Sequence, residues 1–438
     1  MPPWVAAAAD TGTPARSTSR AAKAGAAGLS AAVACLAAVH VAHAADDLAW
    51  DRAKEFGAVS VRERPRTAYE PDGIRIGNYL MLPEIGFRTS FTEDSAGGRS
   101  RDIKYDLTTA LEMRSMLPRH LLDFRLEGRA TAHHDTEELR YIDGKAKVIG
   151  RFDIDHATAL FGNISSELAH EENVDDERPS GITRPPVVAI NRAEAGLRRT
   201  MGRIDAAVGA RYTRFDYQAA ETNDGQKIPQ DFRNYSVVEP FAMVGYRFSP
   251  GYRVFAEVSG SRVDNAGDGT VDRDAVGLQA GAGVEFELSP LVKVMLKGGH
   301  FQQDYRQPGL TDIATSVYEA RLDWYVSPLV SLTFNTRRNV YATSFGEASG
   351  RIVTSYAVKA DYEMWRNLIV SGEATLKLAD YIGEDRNDRI WIGRIGVDYM
   401  ASKHWLFTVG YEHQELVSSD SDFDRRFDRV MVGAKYRF

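Results

Sequence analysis

Charged residues recur at a spacing of two along this sequence, as in Arg125-x-Glu127-x-Arg129, Arg151-x-Asp153, Arg321-x-Asp323 and Lys359-x-Asp361. Glu257, Glu285, Lys297, Glu373, Lys377 and Arg394 each stand between small or apolar neighbours. Residues two apart share one face of a strand, so these groups would line one side of a sheet. Two kinds of chemistry fit such a lining. The charges can form ion-pair ladders that stiffen a wetted wall, or they can mark a route for a polar solute or polymer. A wholly basic lining would point to anion passage and a ring of carboxylates to cations. Both signs are interspersed here, so neither applies to the lining as a whole.

Candidates for catalysis and metal binding are sparse. His133, His134 and Asp135 stand together, and a barrel-embedded hydrolase would have to use them. Neighbours in a strand face opposite ways, however, so one side cannot gather all three. His300 continues the apolar phase of Val292, Val294, Leu296 and Gly298 and reads as structural. The stretch from Asp264 to Asp272 is rich in oxygen ligands, but Ala266 breaks the EF-hand spacing, leaving a polar turn. Loop 171–181, with Glu171, Glu172, Asp175, Asp176 and Glu177, reads as a solvated acidic tip facing lipopolysaccharide or its bridging cations. No Gly-x-Ser-x-Gly elbow, paired cysteine or His-Glu-x-x-His occurs. The expectation is a protein without enzymatic activity, cofactor or metal.

The elements that must hold these residues are strands. Val276, Leu278, Ala280, Ala282, Val284, Phe286 and Leu288 alternate with Gly277, Gln279, Gly281, Gly283, Glu285 and Glu287. The same period of two runs through 318–326, 356–364 and 430–438, where helical spacing fits none of the windows. About eighteen such segments follow residue 79, centred near 86, 109, 126, 149, 163, 195, 208, 241, 257, 281, 296, 321, 335, 358, 373, 395, 410 and 432. Short links such as Met201-Gly202-Arg203, Ser249-Pro250-Gly251 and Trp365-Arg366-Asn367 alternate with longer polar ones, among them 171–186, 218–231, 264–274 and 341–350. A soluble sandwich has no reason to alternate its links, whereas an outer-membrane barrel has short periplasmic turns and longer outer loops. Aromatics gather at both strand ends, Trp324, Tyr325, Trp365 and Trp405 by the short turns and Phe91, Tyr212, Phe301 and Trp391 by the long loops. Such rings match the girdles found at the two lipid interfaces.

Composition agrees. A length of 438 residues suits one long barrel as well as two soluble domains. The net charge of −7 argues against a nucleic-acid partner, and the single cysteine, Cys35, rules out a disulfide framework. No apolar run after residue 44 is long enough for a spanning helix. Residues 1–44 carry Arg16, Arg20 and Lys23, then an apolar stretch ending Ala42-His43-Ala44, the pattern of a cleaved signal peptide. Residues 45–78 do not alternate and form an N-terminal segment, either periplasmic or tucked into the lumen mouth as a partial plug. The barrel occupies 79–438.

Arg64-Pro65-Arg66, then Tyr69 to Gly77, then the first strand with Leu82-Pro83, resemble the opening of the β-barrel porin 2 family of Gram-negative bacteria. Arg338-Asn339-Val340, with Gly346 and Gly350, resembles that family's late-barrel loop. Where the family tends to have an Asp-Asn pair after its first strand, this sequence has Glu93-Asp94-Ser95. The resemblance implies an outer-membrane channel passing an exopolysaccharide or related polar solute, and it implies no catalytic residues. Its implied partners are periplasmic polysaccharide-export components. The terminal Phe438 resembles the signal read by the outer-membrane assembly machinery. The fold expected is an antiparallel up-and-down β-barrel of about eighteen strands in the outer membrane. A structural or adhesive surface protein, built on the long loops, is the alternative.

Overall fold

Alternation over more than ten residues leaves each segment an apolar face and a polar face, and neither face can be covered by the segment itself. Pairing side by side, and closing the row on itself, satisfies every backbone group without leaving an edge. The computed structural model shows this solution. It describes residues 59–95, 100–134, 140–171, 182–184, 186–222, 227–265, 271–344 and 346–438. The expected signal peptide at 1–44, Asp135, most of the acidic loop 171–181 and the centre of the 264–272 stretch lie outside the described residues.

Eighteen strands build the wall: β1 (Tyr79–Asp94), β2 (Ser100–Ser115), β3 (Leu121–His133), β4 (Tyr141–Asp153), β5 (Thr158–His170), β6 (Val187–Met201), β7 (Ile204–Tyr217), β8 (Tyr235–Ser249) and β9 (Tyr252–Asn265) make the first half. The second half is β10 (Ala275–Ser289), β11 (Val292–Tyr305), β12 (Ile313–Ser327), β13 (Val330–Tyr341), β14 (Gly350–Trp365), β15 (Leu368–Ile382), β16 (Asn387–Met400), β17 (Trp405–Ser418) and β18 (Arg425–Arg437). Each pairs antiparallel with its sequence neighbours, and β1 pairs with β18, from Glu84 opposite Arg437 to Asp94 opposite Phe427. The cylinder is closed. All eighteen expected centres fall inside these strands.

The strands are longer than the roughly 9–11 residues a bilayer requires. They run from 12 residues in β13 to 16 in β1, because pairing continues past the apolar band into the loop side. Loops read from sequence as 264–274 and 341–350 shrink accordingly to 266–274 and 342–349. The turn side is tight. Gly202 adopts φ +61° in the two-residue turn after β6, a left-handed conformation that costs glycine little. The ladder is interrupted beside Pro250-Gly251, Pro290-Leu291, Pro328-Leu329 and Arg366-Asn367, as bulges permit at barrel rims.

One face of every strand carries exposed apolar side chains, including Phe87, Leu126, Ile142, Ile164, Val244, Leu278, Val358, Ile395 and Val432. Fully burying one such side chain is worth about 1.5–3 kcal/mol, so a continuous band of them requires an apolar solvent. Trp324, Trp365, Tyr399 and Trp405 are exposed near the turns, and Phe91, Tyr212, Tyr356 and Trp391 near the loops. Two aromatics depart from this expectation. Phe301 and Tyr325 stand on the opposite phase from exposed Leu296 and Trp324, so they face inward, and Tyr325 lies 5.9 Å from the Lys293 ammonium. Phe438 is exposed beside Tyr436, and its backbone N–H donates to Pro83 O at 3.1 Å.

Candidate functional site in the barrel lumen

The face opposite the apolar band holds the charges, and they pair both along and between strands. Arg125 Nε donates to Glu127 at 2.6 Å, Arg151 Nε lies 3.2 Å from Asp153, and Arg321 Nε lies 2.8 Å from Asp323. Lys359 is 3.3 Å from Asp361. Across strands, Arg129 Nε donates to Asp143 at 2.9 Å, Glu257 pairs with Lys297, and Glu285 with Arg253 at 3.2 Å. Arg394 bridges Glu373 and Glu412, both at 3.2 Å. Lys377 stands opposite Ser355 in the same phase. These residues ring the lumen rather than converging on one point.

His133 and His134 part company as strand geometry requires. His133 bonds Asp102 through Nδ1, while His134 meets the Tyr105 ring edge-on on the other face. Among the described residues no three His, Cys, Asp or Glu side chains come together as a metal site would need. Asp264 is paired with Arg262 at 2.9 Å, and Asp274 accepts from the Asn265 N–H at 2.7 Å.

The turn-side mouth carries a docked peptide. Residues 60–70 fold into two hydrogen-bonded turns, with Arg64 N–H donating to Ser60 O and Glu70 N–H to Arg66 O. Arg62 reaches Asp361 at 2.7 Å and Asp398 at 2.9 Å. Burial works against the Arg62 charge, but these two carboxylates outweigh it and hold the guanidinium above its ordinary value. Glu363, only 3% exposed, receives Arg66 at 2.7 Å and Arg64 at 3.3 Å. Val61 is buried against Ile369 and Met400, and its N–H faces Ser331 Oγ. Lys403 holds Asp72 at 2.6 Å, and Arg437 donates to Tyr69 O at 3.0 Å. Every one of these anchors lies on β13 to β18 or their turns. Ile74–Ile76 then pairs with Tyr79–Met81, leading the chain into the wall.

The loop-side mouth is narrowed differently. Beyond β13 the chain turns inward, so that Ala342 packs against the Val188, Ile190, Phe215, Tyr217 and Tyr235 cluster on β6 to β8. Arg273 donates to Gly346 O and Ala348 O at 2.8 and 3.0 Å, and the Tyr305 hydroxyl donates to Ser349 O at 2.7 Å. Arg386 lies between the Tyr381 and Phe423 rings and pairs with Asp388 at 2.7 Å. Glu93-Asp94-Ser95 serves the same rim: Asp94 accepts from Arg425 Nε at 2.9 Å and Ser95 Oγ from the Arg426 N–H at 2.7 Å.

Cavities open along the inner face of the walls from β1 to β6. A cavity of about 380 Å³ lies against β1 to β5, between the pairs Arg125–Glu127, Arg129–Asp143, Lys145–Glu167 and Lys435–Glu84. A second, of about 230 Å³, lies nearer the turns beside Arg151, Asp153, Asn163, Glu194 and Arg198. Phe161 forms part of its floor, and its ring lies so close over Gly196 that a Cβ there would sit 2.5 Å from it. The reading of charges from sequence passed over Arg88, Asp143, Lys145 and Glu167. Their signal was available: Arg88 follows Glu84 and Gly86 in phase, out of step with exposed Ile85 and Phe87.

Comparison with known proteins agrees with this architecture. Residues 66–438 match the family described as "Putative beta-barrel porin 2". No curated protein matches the sequence. Among solved structures, OccK2 (OpdF) of Pseudomonas aeruginosa is similar at 10% identity, covering 82% of this chain and 98% of that one with a TM-score of 0.46. OpdK of the same organism gives 10%, 82%, 99% and 0.45, and OccAB4 of Acinetobacter baumannii gives 9%, 86%, 100% and 0.43. With the family matched over the whole barrel, the chain belongs to the putative beta-barrel porin 2 family and is a porin-like barrel of the outer membrane.

Proposed function

We propose that this protein is a non-enzymatic conduit for a polar solute, with an exopolysaccharide or a related saccharide as the cargo. The observation that carries the reading is the inner wall from β1 to β6, where charged side chains line two cavities, one at mid-wall and one nearer the turns. Hydroxyl-rich chains suit such a wall, since paired carboxylates and guanidinium groups offer acceptors and donors without demanding a net charge. Residues 1–44 act as the export signal and are removed. Residues 45–78 act as a partial plug that narrows the turn-side mouth and directs traffic toward the β1 to β6 side. Phe438 serves recognition by the assembly machinery, lipopolysaccharide surrounds the loop side, and export components meet the turn side.

The test is deletion in the native host, scoring exopolysaccharide secretion alongside uptake of small sugars. Loss of secretion with uptake intact supports the exopolysaccharide as cargo. Loss of uptake alone assigns the channel to small polar solutes. Both unchanged would leave no transport role and favour a surface-structural one.

A further inference from the structure

The lumen wall is mixed in charge, yet one guanidinium in its larger cavity is not matched. The four ion pairs of that cavity account for all its carboxylates and for every cation but Arg88. Among the described residues Arg88 has no hydrogen-bond or ion-pair partner. The register explains why. Directly across from Arg88 on β2 stands Asp106, the natural cross-strand partner, with Gly433 on the other side. Asp106 is 3% exposed and committed elsewhere: its Oδ1 accepts from the Thr131 hydroxyl at 2.8 Å and lies 3.7 Å from Lys104 Nζ. Gly433 offers no side chain. The guanidinium is therefore left to the lumen.

We propose that Arg88 is a binding site for an oxyanion, a carboxylate above all, carried on a hydroxyl-bearing solute that passes along the β1 to β5 wall. A guanidinium presents a planar fork that takes a carboxylate through two parallel hydrogen bonds, which no lysine reproduces. The paired carboxylates beside it, with the Thr108 hydroxyl oxygen at the cavity lining, accept from the solute's hydroxyl groups. The arrangement holds one acidic group at one place while the remaining wall stays electrically balanced. It deepens the conduit reading, since it rests on solute reaching this wall, and it names the chemical class that would pause there.

The experiment uses the full mature barrel and two probes of matched size, gluconate and the neutral polyol sorbitol. In planar bilayers, gluconate is expected to reduce the potassium chloride current of the native barrel at concentrations roughly five- to tenfold lower than for Arg88→Gln, as the loss of one charge-assisted contact implies. Arg88→Lys should fall between them, and sorbitol should act equally on all three. Equal sensitivity of the native and Arg88→Gln barrels to gluconate would overturn the site. If no variant conducts, the conduit reading fails, and the site is judged on its own by saturation-transfer NMR of gluconate on the barrel in micelles. A signal lost in Arg88→Gln upholds it, and an unchanged signal overturns it. Because Arg88 has no partner among the described residues, its replacement is expected to leave the fold intact.

Discussion

The two mouths of this barrel are narrowed by opposite physical means. At the turn side a peptide is held by guanidinium groups on carboxylates: Arg62 on Asp361 and Asp398, and Arg64 and Arg66 on Glu363. At the loop side an inward loop is held by apolar packing and by donors to backbone carbonyls, with Ala342 on the Phe215 cluster and Arg273 on Gly346 and Ala348. Charge pairs that reach water, such as Arg62 with Asp398, are weakened by salt, which shortens the screening length from about 10 Å at 0.1 M to about 3 Å at 1 M. Apolar contacts are not. The first mouth is thus adjustable by its surroundings, and the second behaves as part of the wall.

The largest effect should come from removing the peptide altogether. A barrel beginning at residue 73 is expected to conduct at least about twofold more than one beginning at 59, because free cross-section sets the current through a hydrated barrel. Next comes a pair of variants that separates the mouths. Glu363→Gln leaves Arg64 and Arg66 without their buried acceptor, a loss of about 3–5 kcal/mol for a broken buried pair, and trypsin should then cut after Arg66. Phe215→Ala should cost about 3–5 kcal/mol at the loop side, raising amide exchange across 342–349 without exposing Arg66. Salt gives a smaller contrast. Between 0.1 and 1 M, tryptic cleavage after Arg62, whose side chain reaches water, should rise in the native barrel while exchange in the described part of 342–349 stays level. The smallest effect is one of pH at the turn 154–157. The N–H groups of Ala157 and Thr158 hold the Asp155 carboxylate below its ordinary range. Its contribution is complete above the unfolded carboxylate value of about 3.9. It is lost as pH falls through the lower folded value, seen as amide shifts at Ala157 and Thr158 below pH 4.

Most of the wall was legible because alternation is a local property. Each of the eighteen segments declares its own two faces, and Glu285 between Val284 and Phe286 cannot change sides without moving the whole strand. Lumen placement of the charges follows from the same phase. Partners were less legible. Asp205 lies 2.5 Å from Arg253, yet 48 residues separate them, and only the closed register brings them together. The inward turn beyond β13 had no periodic signal at all, since it depends on Ala342 meeting residues from β6 to β8. The N-terminal segment stood between the two cases. Its three arginines were visible, but the carboxylates that receive them sit roughly three hundred positions away. Arg88 shows a further limit, because its significance lies in a partner that looks elsewhere.

The account depends on lipid outside the cylinder and water within it, and adjacent residues of β3 test that directly. Leu126 is exposed on the apolar band, whereas Glu127 lines the larger cavity. Cys35 is the sequence's single cysteine, so single substitutions in the barrel give a clean background. In outer-membrane vesicles, a charged, membrane-impermeant thiol reagent should label Glu127→Cys and leave Leu126→Cys unmodified. Equal labelling of both, or labelling of Leu126→Cys alone, would contradict the account.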